Sequence, residues 1–139
     1  MSTIVVGYDG TSGARAALRE AVALAGDLGG RVHVAFAYER ARAGGQLADQ
    51  DAVVLDHARA VLDEATSAAA AQGEVEVATQ VVFASPAEAL LTVAEEQDAR
   101  MIVVGSYGET QFKGALVGST PYRLVHLSPW PVLVVRADG

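Results

Sequence analysis

Gly105-Ser-Tyr-Gly108, nine further residues and then Gly118-Ser119 form the stretch best suited to chemistry, and they directly follow the apolar run Met101 to Val104. Glycines where a buried strand ends let the backbone turn sharply and come close to a ligand. A glycine-serine pair opening the next helix adds amide donors and a hydroxyl. Together these groups suit an anion such as a nucleotide phosphate. Asp9, just after Ile4-Val5-Val6-Gly7-Tyr8, is a second candidate. Its carboxylate can accept from a ligand at the strand end, or it can cap its own turn with Gly10.

Other reactive chemistry finds little support. There is no cysteine, hence no disulfide, thiol nucleophile or thiolate metal site. His33, His57 and His126 are scattered and make no metal-ligand spacing, and no G-x-S-x-G nucleophile elbow occurs. Lys113, the single lysine, lies inside the glycine-rich stretch but precedes Gly114 rather than a hydroxyl residue, so the segment is not a P-loop. The net charge of −7, without a basic cluster, argues against nucleic-acid binding.

Strands alternating with helices must position these groups. Ile4-Val5-Val6 reads as a buried parallel strand, and Ser12 as the cap of a helix with Ala17, Leu18, Ala21, Val22, Ala25 and Leu28 on one side. Val32 to Tyr38 is a second strand; residues 40–48 form a loop; a long helix spans about Asp49 to Gln72. Val75, Val77, Thr79 and Val81 suggest a strand exposed on part of one face. Ser85-Pro86-Ala87-Glu88 is a helix start with a serine cap, proline in the first turn and glutamate three residues after the cap. Met101–Val104 is the fourth strand, Ser119 to about Leu127 the last helix, and Val132–Val135 the final strand. Strands separated by long helices predict an α/β fold with a parallel sheet. With 139 residues, 51 % apolar and 19 % charged, the chain suits one domain with one core. The N-terminus does not read as a signal peptide and no apolar run is long enough for a membrane span, so a cytoplasmic protein is expected.

The stretch GSYGETQFKGALVGS, residues 105 to 119, together with Ile4-Val-Val-Gly-Tyr-Asp-Gly-Thr-Ser12, Ser85-Pro86 and Pro131-Val-Leu-Val-Val135, resembles the universal stress protein family. Both spacings match the G-x2-G-x9-G-[ST] signature of its ATP-binding branch. The resemblance runs over almost the whole chain, taken as a single domain at 1–139. It implies an open five-stranded parallel sheet of order 3-2-1-4-5 with helices on both faces, Rossmann-like, as in adenine nucleotide alpha hydrolases. It also implies a homodimer, paired through the last strand, Val132–Val135, and a regulatory role in the stress response, read by a protein partner.

The resemblance implies that Tyr8, Asp9 and Ala37 flank the adenosine. Val104, Gly105, Tyr107 and Gly108 would pass beneath ribose and phosphate, and Gly118, Ser119 and Thr120 would hold phosphate. ATP is the implied ligand, with Mg2+ held mainly by phosphates and water; AMP and cyclic AMP are the alternatives. Two positions depart from the family pattern. Tyr107 stands where many relatives carry histidine or arginine, and Pro121 where serine or threonine is common. Both weaken the triphosphate end of the site. No catalytic residue is implied, so hydrolysis would be weak at most. The competing readings are a nucleotide-free dimeric scaffold and a slow ATPase.

Overall fold

The computed structural model describes residues 1–39, 47–106 and 118–137. Nine elements follow in chain order: β1 (Thr3–Gly7), α1 (Ser12–Leu28), β2 (Arg31–Ala37), α2 (Leu47–Gln72), β3 (Val77–Val82), α3 (Pro86–Glu96), β4 (Met101–Gly105), α4 (Ser119–Leu127) and β5 (Val132–Val135). The five strands make one sheet of order β3-β2-β1-β4-β5, as expected, with every pair parallel.

A parallel sheet with helices on both faces buries alternate residues on opposite sides, so its central strands are continuously apolar. In β1, Ile4, Val5 and Val6 are all fully buried. Ile4 and Val6 meet Ala17, Leu18 and Ala21 of α1 and Leu62 and Ala65 of α2. Val5 faces the other way, with Ile102 and Val104 of β4, Leu90 and Val93 of α3 and Leu124 of α4. The edge strands are less covered: all four residues of β5 remain half-buried. Among the described residues no helix is long and apolar enough to cross a membrane.

Local details depart from the sequence reading in three places. Thr11 rather than Ser12 caps α1, its Oγ1 accepting from the Ala14 amide at 3.3 Å. Ser85 does occupy the cap position of α3, yet its side chain makes no capping bond, and its buried Oγ has no partner among the described residues. β3 begins at Val77, leaving Val75 before the strand but still packed on the α1/α2 side. Trp130 packs against its own domain on the α3/α4 side, and its turn is closed by Ser128, whose Oγ donates to the Trp130 carbonyl and accepts from its amide.

Candidate functional site

Strand order reverses between β1 and β4, and the helices that follow them, α1 and α4, lie on opposite faces of the sheet, which leaves a crevice at the strand ends. A cleft of about 180 Å³ lies there. Gly7, Tyr8, Asp9, Thr11 and Ala14 enter it from β1 and the start of α1, and Ala35 and Ala37 from β2. Val104 and Gly105 come from β4, Pro86 and Leu90 from α3, and Gly118, Ser119, Thr120 and Pro121 from α4. Small residues at 7, 35, 37 and 105 give the cleft its depth.

Eight of the residues singled out by sequence, Tyr8, Asp9, Ala37, Val104, Gly105, Gly118, Ser119 and Thr120, therefore meet around one cleft. Tyr107 and Gly108 lie outside the described residues, as does Lys113. Sequence reasoning missed Gly7, Thr11, Ala14, Ala35 and Leu90 as lining residues. The signal for Gly7 and Ala35 was their smallness inside otherwise β-branched runs.

Asp9 does cap its own turn: its Oδ1 accepts from the Thr11 amide at 3.1 Å and from Thr11 Oγ1 at 2.6 Å. Asp9 is exposed, and its other carboxylate oxygen has no hydrogen-bond partner among the described residues. Gly10, at φ +84°, permits this tight turn. One carboxylate oxygen thus fixes the loop and the other remains available to a ligand.

The Tyr8 side chain turns away from the cleft. Its ring joins the α1/α2 core, and its hydroxyl donates to Glu64 Oε1 at 3.1 Å, so the residue meets the cleft through its main chain. Burial, reinforced by the neighbouring Glu64 carboxylate, raises the phenol pKa. Glu64 in turn is held below its usual range by hydrogen bonds from Arg15 and Tyr8.

Gly105 is required by packing. A β-carbon there would stand 2.7 Å from the carbonyl carbon of Gly13 and 2.8 Å from its oxygen. The end of β4 and the first turn of α1 touch backbone to backbone, a contact that sequence spacing did not reveal.

At the start of α4, Gly118 takes the cap position and its amide donates to the Ser106 carbonyl. That amide was expected to meet an anion, but it ties the helix start to the end of β4. Pro121 has no N–H, and the Tyr122 amide donates to Gly118. The Ser119 and Thr120 amides are the donors of this turn without a partner among the described residues. Ser119, exposed and inside the helix, is free of the capping role. Ser12 and Gly13 leave a similar pair of amides at the start of α1. The helix termini thus offer positive ends of backbone dipoles. Among the described lining residues Asp9 carries the only charge, and no basic side chain enters.

The three histidines have structural partners. His33 Nε2 is 2.9 Å from Gln80 Oε1, His57 packs edgewise on Phe36, and His126 on Tyr122. Among the described residues no group of three or more histidine, aspartate or glutamate side chains converges as a metal site.

An open parallel sheet with its cleft at the point of strand reversal is an α/β architecture that takes ligands across its strand ends. The chain belongs to the universal stress protein family, whose model matches residues 1–136. Universal stress protein Rv1636 of Mycobacterium tuberculosis is 32 % identical over 140 residues, covering 96 % of this chain and 95 % of that protein. A universal stress protein solved in complex with cAMP superposes with a TM-score of 0.80 at 29 % identity, over 99 % of this chain and 98 % of the other. UspA of Lactobacillus plantarum shares the fold at TM-score 0.86 and 21 % identity, over 97 % of both chains.

Proposed function

We propose that this chain binds one adenine nucleotide in the β1/β4 cleft and acts as a nucleotide-dependent regulator in the stress response. The carrying observation is the convergence of Asp9, Ala37, Ser119 and Thr120, from three separated segments, on a single cleft whose lining combines apolar side chains with the amide-bearing start of α4. The similar protein solved with cAMP supports the adenine reading. Ala35, Ala37, Pro86 and Leu90 suit a flat, apolar base. The free Asp9 oxygen suits a ribose hydroxyl, and the Ser119 and Thr120 amides suit phosphate oxygens.

Charge decides among nucleotides. With one carboxylate and no cation in its described lining, the cleft favours a phosphate of low charge. Cyclic AMP and AMP should bind without added metal, whereas ATP should need Mg2+ to neutralise its phosphates. Occupancy would act by linkage, altering a surface that a partner protein distinguishes. No basic side chain among the described lining residues compensates the charge that develops in phosphoryl transfer, so hydrolysis should be slow.

We further propose that the chain pairs with a second copy through β5. The Pro131 carbonyl accepts from Ile102 of β4 and the Val135 carbonyl from Ser106 just past it, so the alternating backbone groups of Val132 and Val134 point to the open edge of the sheet. Val134→Pro removes only an outward amide and should yield monomer in light scattering without loss of the fold.

The test of the nucleotide reading is identification of small molecules released from freshly purified, denatured protein. It is followed by titration of the stripped protein with ATP, ADP, AMP and cyclic AMP, with and without Mg2+. Saturable binding of any one adenine nucleotide supports the reading. No released ligand and no titration leaves the dimeric scaffold.

A further inference from the structure

A group outside the cleft is bonded to residues on either side of its rim. Glu64 lies in α2, far from Asp9 in sequence, yet a single oxygen of its carboxylate accepts two bonds. Tyr8 Oη donates to it at 3.1 Å and Arg15 Nε at 2.9 Å. Tyr8 immediately precedes Asp9, and Arg15 follows Ala14 in the first turn of α1. The two donors therefore flank the segment from Asp9 to Ala14, in which Asp9, Thr11 and Ala14 line the cleft.

We propose that Glu64 is a positioning residue for the cleft, clamping the end of β1 to the first turn of α1 and so fixing where Asp9, Thr11 and Ala14 stand. The Tyr8 ring is almost wholly buried, so its hydroxyl emerges at one place and in one direction. A carboxylate oxygen at that place locks the ring without strain. Glu64 and Arg15 are each about half exposed, with side-chain exposures of 47 % and 52 %. Their pairing therefore adds little to global stability. Its effect is local, because both bonds converge on one atom and span two ends of one short loop. The lowered pKa of Glu64 agrees with that double acceptance.

The test compares Glu64→Ala, Glu64→Gln, Tyr8→Phe and the double variant Tyr8→Phe/Glu64→Ala. Amide hydrogen exchange at Thr11 and Ala14 needs no ligand and is read beside exchange at β4. Glu64→Ala should speed exchange at Thr11 and Ala14 about five-fold, leaving β4 amides unchanged. Glu64→Gln keeps an acceptor oxygen and should restore most of the protection. In the double variant Tyr8→Phe should add almost nothing, because its partner is already gone. The affinity for cyclic AMP, which rests on the nucleotide reading above, should fall by a similar factor of about five in Glu64→Ala and recover in Glu64→Gln. Unchanged exchange at Thr11 and Ala14 in Glu64→Ala overturns the clamp, as does equal acceleration throughout the sheet. If the parent protein binds no cyclic AMP, the exchange measurement alone decides the proposal.

Discussion

Replacing Gly105 by alanine tests how the cleft is built. The new β-carbon would sit 2.7 Å from the Gly13 carbonyl carbon and 3.0 Å from its Cα. Ordinary contact starts near 3.4 Å, so α1 and β4 must separate by about 0.7 Å. Both partners are main chain, and no side chain can rotate out of the way. Overpacking of this kind costs roughly 1–3 kcal/mol, offset by at most about 1 kcal/mol from the smaller entropy of the unfolded alanine chain. A net loss of about 2 kcal/mol lowers the midpoint of a domain this size by roughly 6–10 °C. Thermal and denaturant unfolding of Gly105→Ala would measure it. Gly73→Ala is the control, since a β-carbon there meets nothing within 4 Å. Equal stability of Gly105→Ala and the parent protein would refute the backbone contact. The same displacement moves Thr11 and Ala14 at the cleft wall, so nucleotide affinity should fall together with stability.

Other consequences can be checked in parallel. Thr11→Ala removes both the α1 cap and the partner of Asp9, and urea unfolding should show a loss of about 1–2 kcal/mol, while Ser12→Ala should be near neutral. Asp98 adopts φ +51° just past α3, beside Glu95 and Glu96. Asp98→Gly relieves the left-handed strain and an unfavourable helix-end charge, and should stabilise by about 0.5–1 kcal/mol in the same assay. Tyr8 should ionise above the ordinary tyrosine range in an absorbance titration compared with Tyr8→Phe. Because its folded pKa is raised, its stabilising contribution is full below the unfolded pKa near 10 and is lost as pH rises through the folded value. For Glu64 the shift is downward, so its contribution is present above the unfolded pKa and disappears as pH falls through the folded one.

Periodicity made the sheet and helices legible, because a strand buried on both faces must read as Ile4-Val5-Val6 and a covering helix must repeat every three to four residues. The strand order came from the family resemblance rather than from any pattern in the residues. Asp9, Gly105, Gly118 and Ser119 were visible in the residues themselves, at strand ends and helix starts where glycine, serine and aspartate have distinct backbone roles, whereas Tyr8, Ala37, Val104 and Thr120 came from the family resemblance. What sequence could not show is which role prevailed. One oxygen of Asp9 holds the Thr11 turn, and the other has no partner among the described residues. The Gly118 amide belongs to Ser106, and Gly105 answers to Gly13. The choice between Thr11 and Ser12 as cap depended on where helical backbone begins, to within one residue. Tyr8 lines the cleft through its main chain, while the alternation of β1, carried one residue past its end, sends the ring into the α1/α2 core toward Glu64. These outcomes depend on contacts between segments distant in sequence, which no local pattern encodes.

The central claim, one adenine nucleotide held across the ends of β1 and β4, is tested most directly by calorimetric titration of stripped protein with cyclic AMP, AMP and Mg2+-ATP. The parent chain is set beside Ser119→Glu. Ser119 is exposed at the first position of α4, so glutamate there should leave the circular dichroism and unfolding midpoint intact while placing a negative charge against the phosphate. One nucleotide per chain, with affinity reduced at least about ten-fold in Ser119→Glu, is the predicted result. Absence of binding to all three nucleotides, or binding that Ser119→Glu leaves unchanged, would contradict the assignment of the cleft.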